Sequence, residues 1–454
     1  MSKYFSVLLL LLLFSTSLFA QRVSYPQLVM QSERPSIFID DLILPGENGK
    51  TTLAFIFRFN NDFMPFKKLP VNNNFSAPDS ENFYTTMRLS SEIFEGKLNR
   101  GDALAGNSAS RDIWTDTLFT PTFEDTKSAE KFASGALVTP LAPGSYHYIL
   151  QLSMMQEISE RNTQKRNIKV PDLSTKETGE IYLLKDRQIE GSDNVFTLMS
   201  LESNVPFGKN FKAMVRLPNY TEESDYSVHV TNTKVASEDT STTNDIFRAE
   251  LSSGQIFTNA SVQLLKNEEP TLQITEGPYT YSVLSIPSAE FDNALYSLSI
   301  QKNEETVASR FFRSYWPDMP ASLYNLQIAI DHLSYIVPES EIERIKKGNK
   351  AERERKFREF WESKDPTPNT VYNELMAEYY RRIDYAFKEF GSQENPMGHE
   401  SDQGEIYIKF GPPNNKERVF PPEGNTREIW TYPNRTFVFE ATTGFGDYVL
   451  VGTR

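Results

Sequence analysis

Short runs of apolar side chains recur at every second position from about residue 53 to residue 315, and beyond Pro317 they recur at every third or fourth. Leu53, Phe55, Phe57 and Phe59 alternate with Ala54, Ile56 and Arg58, and Tyr146, Tyr148, Leu150, Leu152 and Met154 alternate with His147, Ile149, Gln151 and Ser153. Residues two apart share one face of a strand, so these runs predict half-buried β-strands. Tyr226, Val228 and Val230, then Tyr281 and Val283, then Tyr296, Leu298 and Ile300 continue the habit. Aromatics make up 13% of the chain, with 32 Phe and 21 Tyr, a supply that suits strand cores. Stretches rich in Asn, Pro, Gly and Ser, Leu69 to Asp79 and Arg100 to Ser110, read as surface loops, and Ser237 to Asn244 as a mobile one.

With 454 residues the chain is too long for one core and divides into about three units. The expected fold is mostly β with a C-terminal α+β part: tandem β-sandwich, Ig-like domains over 21–173 and 177–316, then a unit over 320–454. In that last unit Leu323, Leu326, Ile330, Leu333 and Val337 predict an amphipathic helix closed by Pro338. Tyr372, Met376, Tyr379, Ile383, Phe387 and Phe390 form a second stripe, with Thr367 and Pro368 as its N-cap and first position. Helices are thus expected over 320–391 and a small sheet over 404–454, beginning with a strand Glu405–Phe410.

The first 20 residues hold Lys3, an apolar run from Val7 to Phe14 and a small residue, Ala20, which together predict a signal peptide cleaved after Ala20. The apolar run is shorter than the roughly 20 residues a membrane span needs, so no integral membrane segment is expected after cleavage. The chain has no cysteine, which excludes disulfides, thiol nucleophiles and the lipidated cysteine of a lipoprotein. The expectation is export to the periplasm or cell surface of a Gram-negative bacterium. A net charge of −14 opposes nucleic-acid binding.

The chemical motifs are sparse. His147, His229, His332 and His399 stand far apart in sequence, offer no local ligand pair, and the first three lie off the apolar faces, which predicts surface histidines. Ser128-Ala129-Glu130-Lys131 and Ser192-Asp193-Asn194 match two of three motifs of penicillin-recognising serine enzymes, but the third is missing and the pattern recurs at Ser299–Lys302 inside an expected strand. Arg310-Phe311-Phe312-Arg313-Ser314-Tyr315-Trp316 interleaves basic and aromatic residues, and reads as the last strand of the second β unit. His399-Glu400-Ser401-Asp402-Gln403-Gly404-Glu405 gathers an imidazole and three carboxylates, enough for a cation or an acid and base, or for a polar turn. Gly398, Gly404 and Gly411 would permit tight turns around one strand, with Asp402 bonded to neighbouring backbone amides.

Phe360-Trp361, Asp365-Pro366-Thr367-Pro368, Met397-Gly398-His399-Glu400-Ser401-Asp402-Gln403-Gly404-Glu405-Ile406-Tyr407-Ile408, Phe410-Gly411-Pro412-Pro413 and Glu428-Ile429-Trp430 resemble the GWxTD domain of exported bacterial proteins, common in Bacteroidota, over about 320–454. His399 stands in place of the Trp, Ser401 in place of the Thr and Gln403 where an Arg is usual. The resemblance implies an exported protein with β-sandwich domains ahead of a small α+β domain, and brings no catalytic residue with it.

The sequence therefore points to a non-enzymatic envelope protein that binds other envelope proteins or cell-surface components, with no cofactor, no metal and no catalytic residue assigned. Its candidate motif loop, structural or binding, comprises Gly398, His399, Asp402, Gly404, Glu405, Tyr407, Gly411 and Trp430. The rival is a periplasmic hydrolase or glycan-binding protein using Glu400, Asp402 and Glu405, with Tyr407 and Trp430 as a sugar platform.

Overall fold

The structure is a computed structural model that describes residues 24–31, 35–47, 50–70, 77–78, 80–98, 108–155, 161–162, 165–175, 177–187, 189, 191–233, 245–251, 254–392, 396–442 and 447–453. The signal peptide, the 237–244 loop and most of the other two loops read from the sequence lie outside these residues. Among the described residues no helix is long and apolar enough to cross a membrane.

The chain forms two compact units. The first, Arg34–Pro317 with Asn369–Tyr372, is built of β-strands with a few short 3₁₀ turns among the described residues. Its first half contains β1 (Ile37–Pro45), β2 (Thr51–Asn60), β3 (Lys67–Lys68), β4 (Phe83–Glu95), β5 (Ser108–Thr120), β6 (Phe132–Leu141), β7 (Gly144–Met154), β8 (Arg161–Asn162) and β9 (Arg166–Val170). A three-stranded sheet β1-β2-β6 faces a sheet β3-β4-β7-β8 to which β5 and β9 add at β4 and β7. The second half contains β10 (Glu180–Lys185), β11 (Val195–Thr197), β12 (Asn204–Pro206), β13 (Phe211–Arg216), β14 (Tyr226–Asn232), β15 (Asp245–Glu250), β16 (Gln255–Leu265), β17 (Thr271–Glu276), β18 (Tyr279–Ile286), β19 (Leu295–Lys302) and β20 (Glu305–Tyr315). Its sheets are β10-β13-β18-β16-β17-β11 and β12-β20-β19-β14-β15.

The alternation read from the sequence fills the two sandwich cores. Leu53, Phe55, Phe57 and Phe59 meet Leu89, Ile93, Tyr148 and Leu150 in the first, while Phe211, Val215, Val228, Leu298 and Phe312 meet in the second. The opposite faces are also apolar: Leu42, Leu44, Ala54, Ile56 and Ala136 pack directly against Tyr182, Leu184, Met214, Leu272 and Tyr281. Strand β2 is therefore covered on both faces, where the alternation alone predicts a half-buried strand. The Tyr182 hydroxyl crosses this shared core to donate to the Ile43 carbonyl at 2.8 Å. At its rim Asp40 accepts from the Ser203 amide at 2.8 Å and faces Arg310 at 3.5 Å. Burial raises the Asp40 pKa, and Arg310 opposes that rise.

Two expectations about side chains change here. His147 is buried because Phe94, its partner on β4, stacks on the ring at 5.2 Å and Nδ1 sits 2.9 Å from the Gly96 carbonyl oxygen. His229 is buried between Ser227 and Asp245, not on the surface. Ser128 accepts from the Glu130 and Lys131 amides, so the S-x-x-K match lies in a local turn before β6.

The second unit joins Asp318–Pro368 and Asn373–Arg454 with a short N-terminal helix, α1 (Tyr25–Gln31). The stripe Leu323 to Val337 lies in its core, but as a 3₁₀ turn Ala321–Tyr324, α2 (Leu326–Asp331) and a 3₁₀ turn His332–Tyr335. Asn325 breaks the run because its side chain accepts from the Gln327 and Ile328 amides and restarts the helix. Two further helices, α3 (Glu339–Lys346) and α4 (Lys350–Glu362), precede α5 (Glu374–Glu389). The N-cap of α5 is Asn373, accepting from the Met376 amide at 2.8 Å, and not Thr367.

The expected strand Glu405–Phe410 is a helix, α6 (Asp402–Phe410). Positions two apart on a helix lie about 200° apart, so a helix wedged between two cores shows the same alternation as a strand. Ile408 enters the helical core and Ile406 the core of the sheet. The sheet itself comprises β21 (Asn415–Val419), β22 (Arg427–Tyr432), β23 (Arg435–Ala441) and β24 (Tyr448–Thr453), in that order and all antiparallel.

The shared core predicts that the two sandwiches unfold together. Ile56→Ala should cost about 2–4 kcal/mol and speed hydrogen exchange in β13 and β18 as much as in β4 and β7. Loss of protection confined to the first sandwich would contradict this coupling.

Candidate functional site

The motif loop is a tight junction between α5, a 3₁₀ turn Gly398–Glu400, and α6. A Cβ on Gly404 would lie 2.1 Å from the Gly398 carbonyl oxygen, and one on Gly398 would lie 2.5 Å from the Ala386 carbonyl oxygen and 2.3 Å from the Gly391 amide. These two glycines serve close packing of backbone on backbone, not the tight turns expected of them. Gly411 does need a glycine's freedom, since it ends α6 at φ +75° while its amide donates to the Tyr407 carbonyl at 2.7 Å.

The polar groups of the loop are engaged inside the fold. Ser401 caps α6, accepting from the Gly404 amide at 3.0 Å and donating to the Gly398 carbonyl at 2.7 Å. Asp402 accepts from the Leu450 amide of β24 at 2.7 Å, a bond to a distant strand rather than to its own loop. Glu405 pairs with Lys409 one turn on. Tyr407 stacks on Tyr385 with ring centres 4.5 Å apart. Among the described residues no group of three His, Cys, Asp or Glu side chains is placed to hold a metal ion.

His399 fills the position of the motif's Trp as an aromatic core residue. It is buried within 5.1 Å of the Tyr25 and His332 rings and 5.8 Å of Phe387, and the Tyr335 hydroxyl reaches its Nδ1 at 3.1 Å. Burial pushes its pKa down to about 4, and burial with the neighbouring His399 pushes His332 down to about 3. Neither is the surface or loop imidazole that the sequence suggests.

Trp430 is 1% exposed, so its faces are occupied by protein: Phe439 at 4.8 Å, Phe390 at 5.4 Å, and Lys416 over the ring at 5.4 Å. Beside it lies Glu428, the residue that holds this corner and that sequence reasoning passed over. Its Oε2 accepts from Gln403 at 2.9 Å, Trp430 Nε1 at 3.3 Å and Lys416 at 3.0 Å, and its Oε1 from Arg418 at 2.6 Å. Gln403, in the place of an Arg, thus supplies a neutral donor while β21 supplies the charge. Burial works to raise the Glu428 pKa, but the bonds from Arg418 and Lys416 outweigh it and leave the carboxyl below its ordinary range. The signal was present, since Glu428, Trp430 and Tyr432 share the inward face of one strand and Lys416 and Arg418 recur at the same period across from it.

Glu428→Gln keeps the shape and removes the charge, and should lower stability at pH 7 by about 1–3 kcal/mol. A depressed carboxyl contributes stability that is complete above its ordinary unfolded pKa and lost as pH falls through its folded one. The variant should therefore lose less stability than the parent on acidification below about pH 4.5, as read by denaturant melts at each pH.

A search of curated proteins gives no match. Among solved structures, the type II cohesin dyad from the adaptor ScaA scaffoldin of Acetivibrio cellulolyticus is similar at 9% identity, covering 61% of this chain and 93% of that one with a TM-score of 0.14, which carries no argument. The family model of the GWxTD domain matches residues 294–448, from the β19–β20 hairpin through the motif loop into β24, so the chain carries a GWxTD domain over that stretch.

Proposed function

We propose that this is an exported, non-enzymatic envelope protein that binds other envelope proteins or cell-surface components in the periplasm or at the cell surface. The observation that carries the reading is the use of the motif loop: Ser401, Asp402, Gln403 and Glu428 spend their bonding on the fold itself. A loop so committed positions the sheet beyond it. That sheet presents apolar side chains to solvent, with Val451 and Val449 about half exposed, and Phe420, which follows β21, is largely exposed too. Exposed apolar positions of this kind suit protein contacts. The leader ending at Ala20 and the absence of cysteine support export without lipidation, and the tandem sandwiches support an Ig-like adhesive body.

Photo-crosslinking from Val451 or Phe420 in the native host should capture the same envelope component reproducibly, and Val451→Lys should weaken the capture. Specific hydrolytic turnover by the purified mature protein, without such a partner, would count against this function.

A hydrolytic reading has one observation of its own, away from the 398–405 carboxylates. His229 Nδ1 lies 2.7 Å from Asp245 Oδ2, and Ser227 Oγ lies 2.8 Å from His229 Nε2. A carboxylate only accepts, so in the neutral ring Nδ1 carries the proton and Nε2 accepts from the serine. This is the polarity of acyl-transfer triads, in which Ser227 Oγ would bond to an ester carbonyl carbon as its proton passes through His229 to the departing alkoxide. Treatment with a fluorophosphonate should then label Ser227, displacing fluoride, and His229→Gln should abolish the label. An unlabelled Ser227 would leave these bonds the structural task of pinning the start of β15 to β14.

A further inference from the structure

The N-terminal helix α1 is held in the second unit chiefly through one side chain. Tyr25 is 5% exposed, whereas Met30 is 79% exposed, and Leu28 and Val29 lie at the edge of the core. The Tyr25 hydroxyl donates to Asp384 Oδ1 at 2.6 Å, and the other Asp384 oxygen accepts from the Ala321 amide at 2.8 Å. The ring stands edge-on to His332 at 4.6 Å and to Phe387 at 5.2 Å, with His399 at 5.1 Å. Seven residues do not sustain a helix in water, so α1 exists only while Tyr25 is seated.

The seat is built from two neutral imidazoles 5.1 Å apart. His332 Nδ1 is bonded to the Ser322 hydroxyl at 2.9 Å and His399 Nδ1 to the Tyr335 hydroxyl at 3.1 Å. His399 Nε2 is buried and finds no hydrogen-bond partner among the described residues. A proton there would place a cation among aromatic rings, next to a second imidazole. The titratable groups around it are Tyr25 on α1, Asp384 on α5, His332 and Tyr335 on one 3₁₀ turn, and Glu400 on the other, with Glu405 of α6 beyond. Asp384 has one oxygen on Tyr25 and the other on Ala321, while Glu400 and Glu405 act on Tyr335.

We propose that residues 24–31 form an acid-released latch: protonation of His332 and His399 ejects Tyr25 from its seat and frees α1 while the rest of the unit stays folded. The helix goes first because it enters the shared core through one fully buried side chain, Tyr25, whereas α5 buries Ala377, Tyr379, Tyr380, Ile383 and Ala386 and the sheet packs in a second core. The direction follows from burial. Both imidazoles are held well below the ordinary histidine value when α1 is seated. Docking is therefore complete above about pH 6.5 and weakens as pH falls toward about 4, by up to about tenfold per histidine per pH unit.

Hydrogen exchange of the full mature protein, corrected for intrinsic rate, tests the latch between pH 7.5 and 4.5. Protection of residues 24–31 should fall more than tenfold while α5 and β22 keep theirs, and the double variant His332→Phe, His399→Trp should stay latched throughout. Simultaneous loss of protection in α1, α5 and β22 would overturn the proposal, as would release of α1 from the double variant over the same range. Should the double variant fail to fold, His332→Gln alone decides. A shallower pH dependence of α1 release supports the latch, and an unchanged one overturns it.

Discussion

Burial of single elements on both faces organises this molecule. Strand β2 sends Phe55, Phe57 and Phe59 into one core and Ala54 and Ile56 into another, and β10 does the same with Ile181 and Leu183 against Tyr182 and Leu184. Four sheets follow one another with three apolar layers between them. Without the middle layer, Leu42, Ile56, Tyr182 and Tyr281 would be exposed apolar surface, so neither sandwich is complete alone. The Tyr182 hydroxyl within that layer is tolerated because the Ile43 carbonyl accepts its proton.

The same constraint explains which parts of the fold were legible in the sequence. Periodicity reports which side chains share a face, and it identifies a strand wherever one face repeats large apolar side chains at every second position. It recovered β2, β7, β14, β18 and β19, and the helical stripe of α5, because their inner faces repeat at the expected interval. It failed at α6, where a helix buried on opposite sides mimics a strand. It also failed at His147 and His229, polar residues on the outer faces of strands, because cross-strand neighbours cover them: Phe94 stacks on one and Asp245 bonds the other. Cross-strand partners are fixed by register, which a single strand's pattern does not contain.

The motif loop reads from the sequence as structural or binding, with a carboxylate site as the rival. Gly398, His399, Asp402 and Gly404 lie at the junction that opens α6, and Gly411 lies at its other end. Residue type alone leaves both a polar turn and a carboxylate site open there, and the bonds run to Leu450, to Glu428 and to the loop's own backbone. Gly404 illustrates why the distinction escapes sequence reading. A glycine that allows a turn and a glycine that lets a carbonyl approach are the same letter, and only the position of Gly398 separates the two cases.

The departures from the motif are then physically coherent. Ser401 retains the hydroxyl that caps α6, so losing a methyl group there removes no hydrogen bond. Gln403 gives up a charge next to buried Glu428, and Lys416 and Arg418 on β21 provide it from the side that solvent reaches. His399 keeps an aromatic ring in the core but adds a second nitrogen that the core leaves unbonded. Of the three, only that last substitution introduces a group whose charge can change between pH 4 and 7. It does so against the ring of Tyr25, the residue through which the N-terminal helix is attached. A position that would be inert as tryptophan is thereby coupled, through burial, to the acidity of whatever compartment the protein occupies.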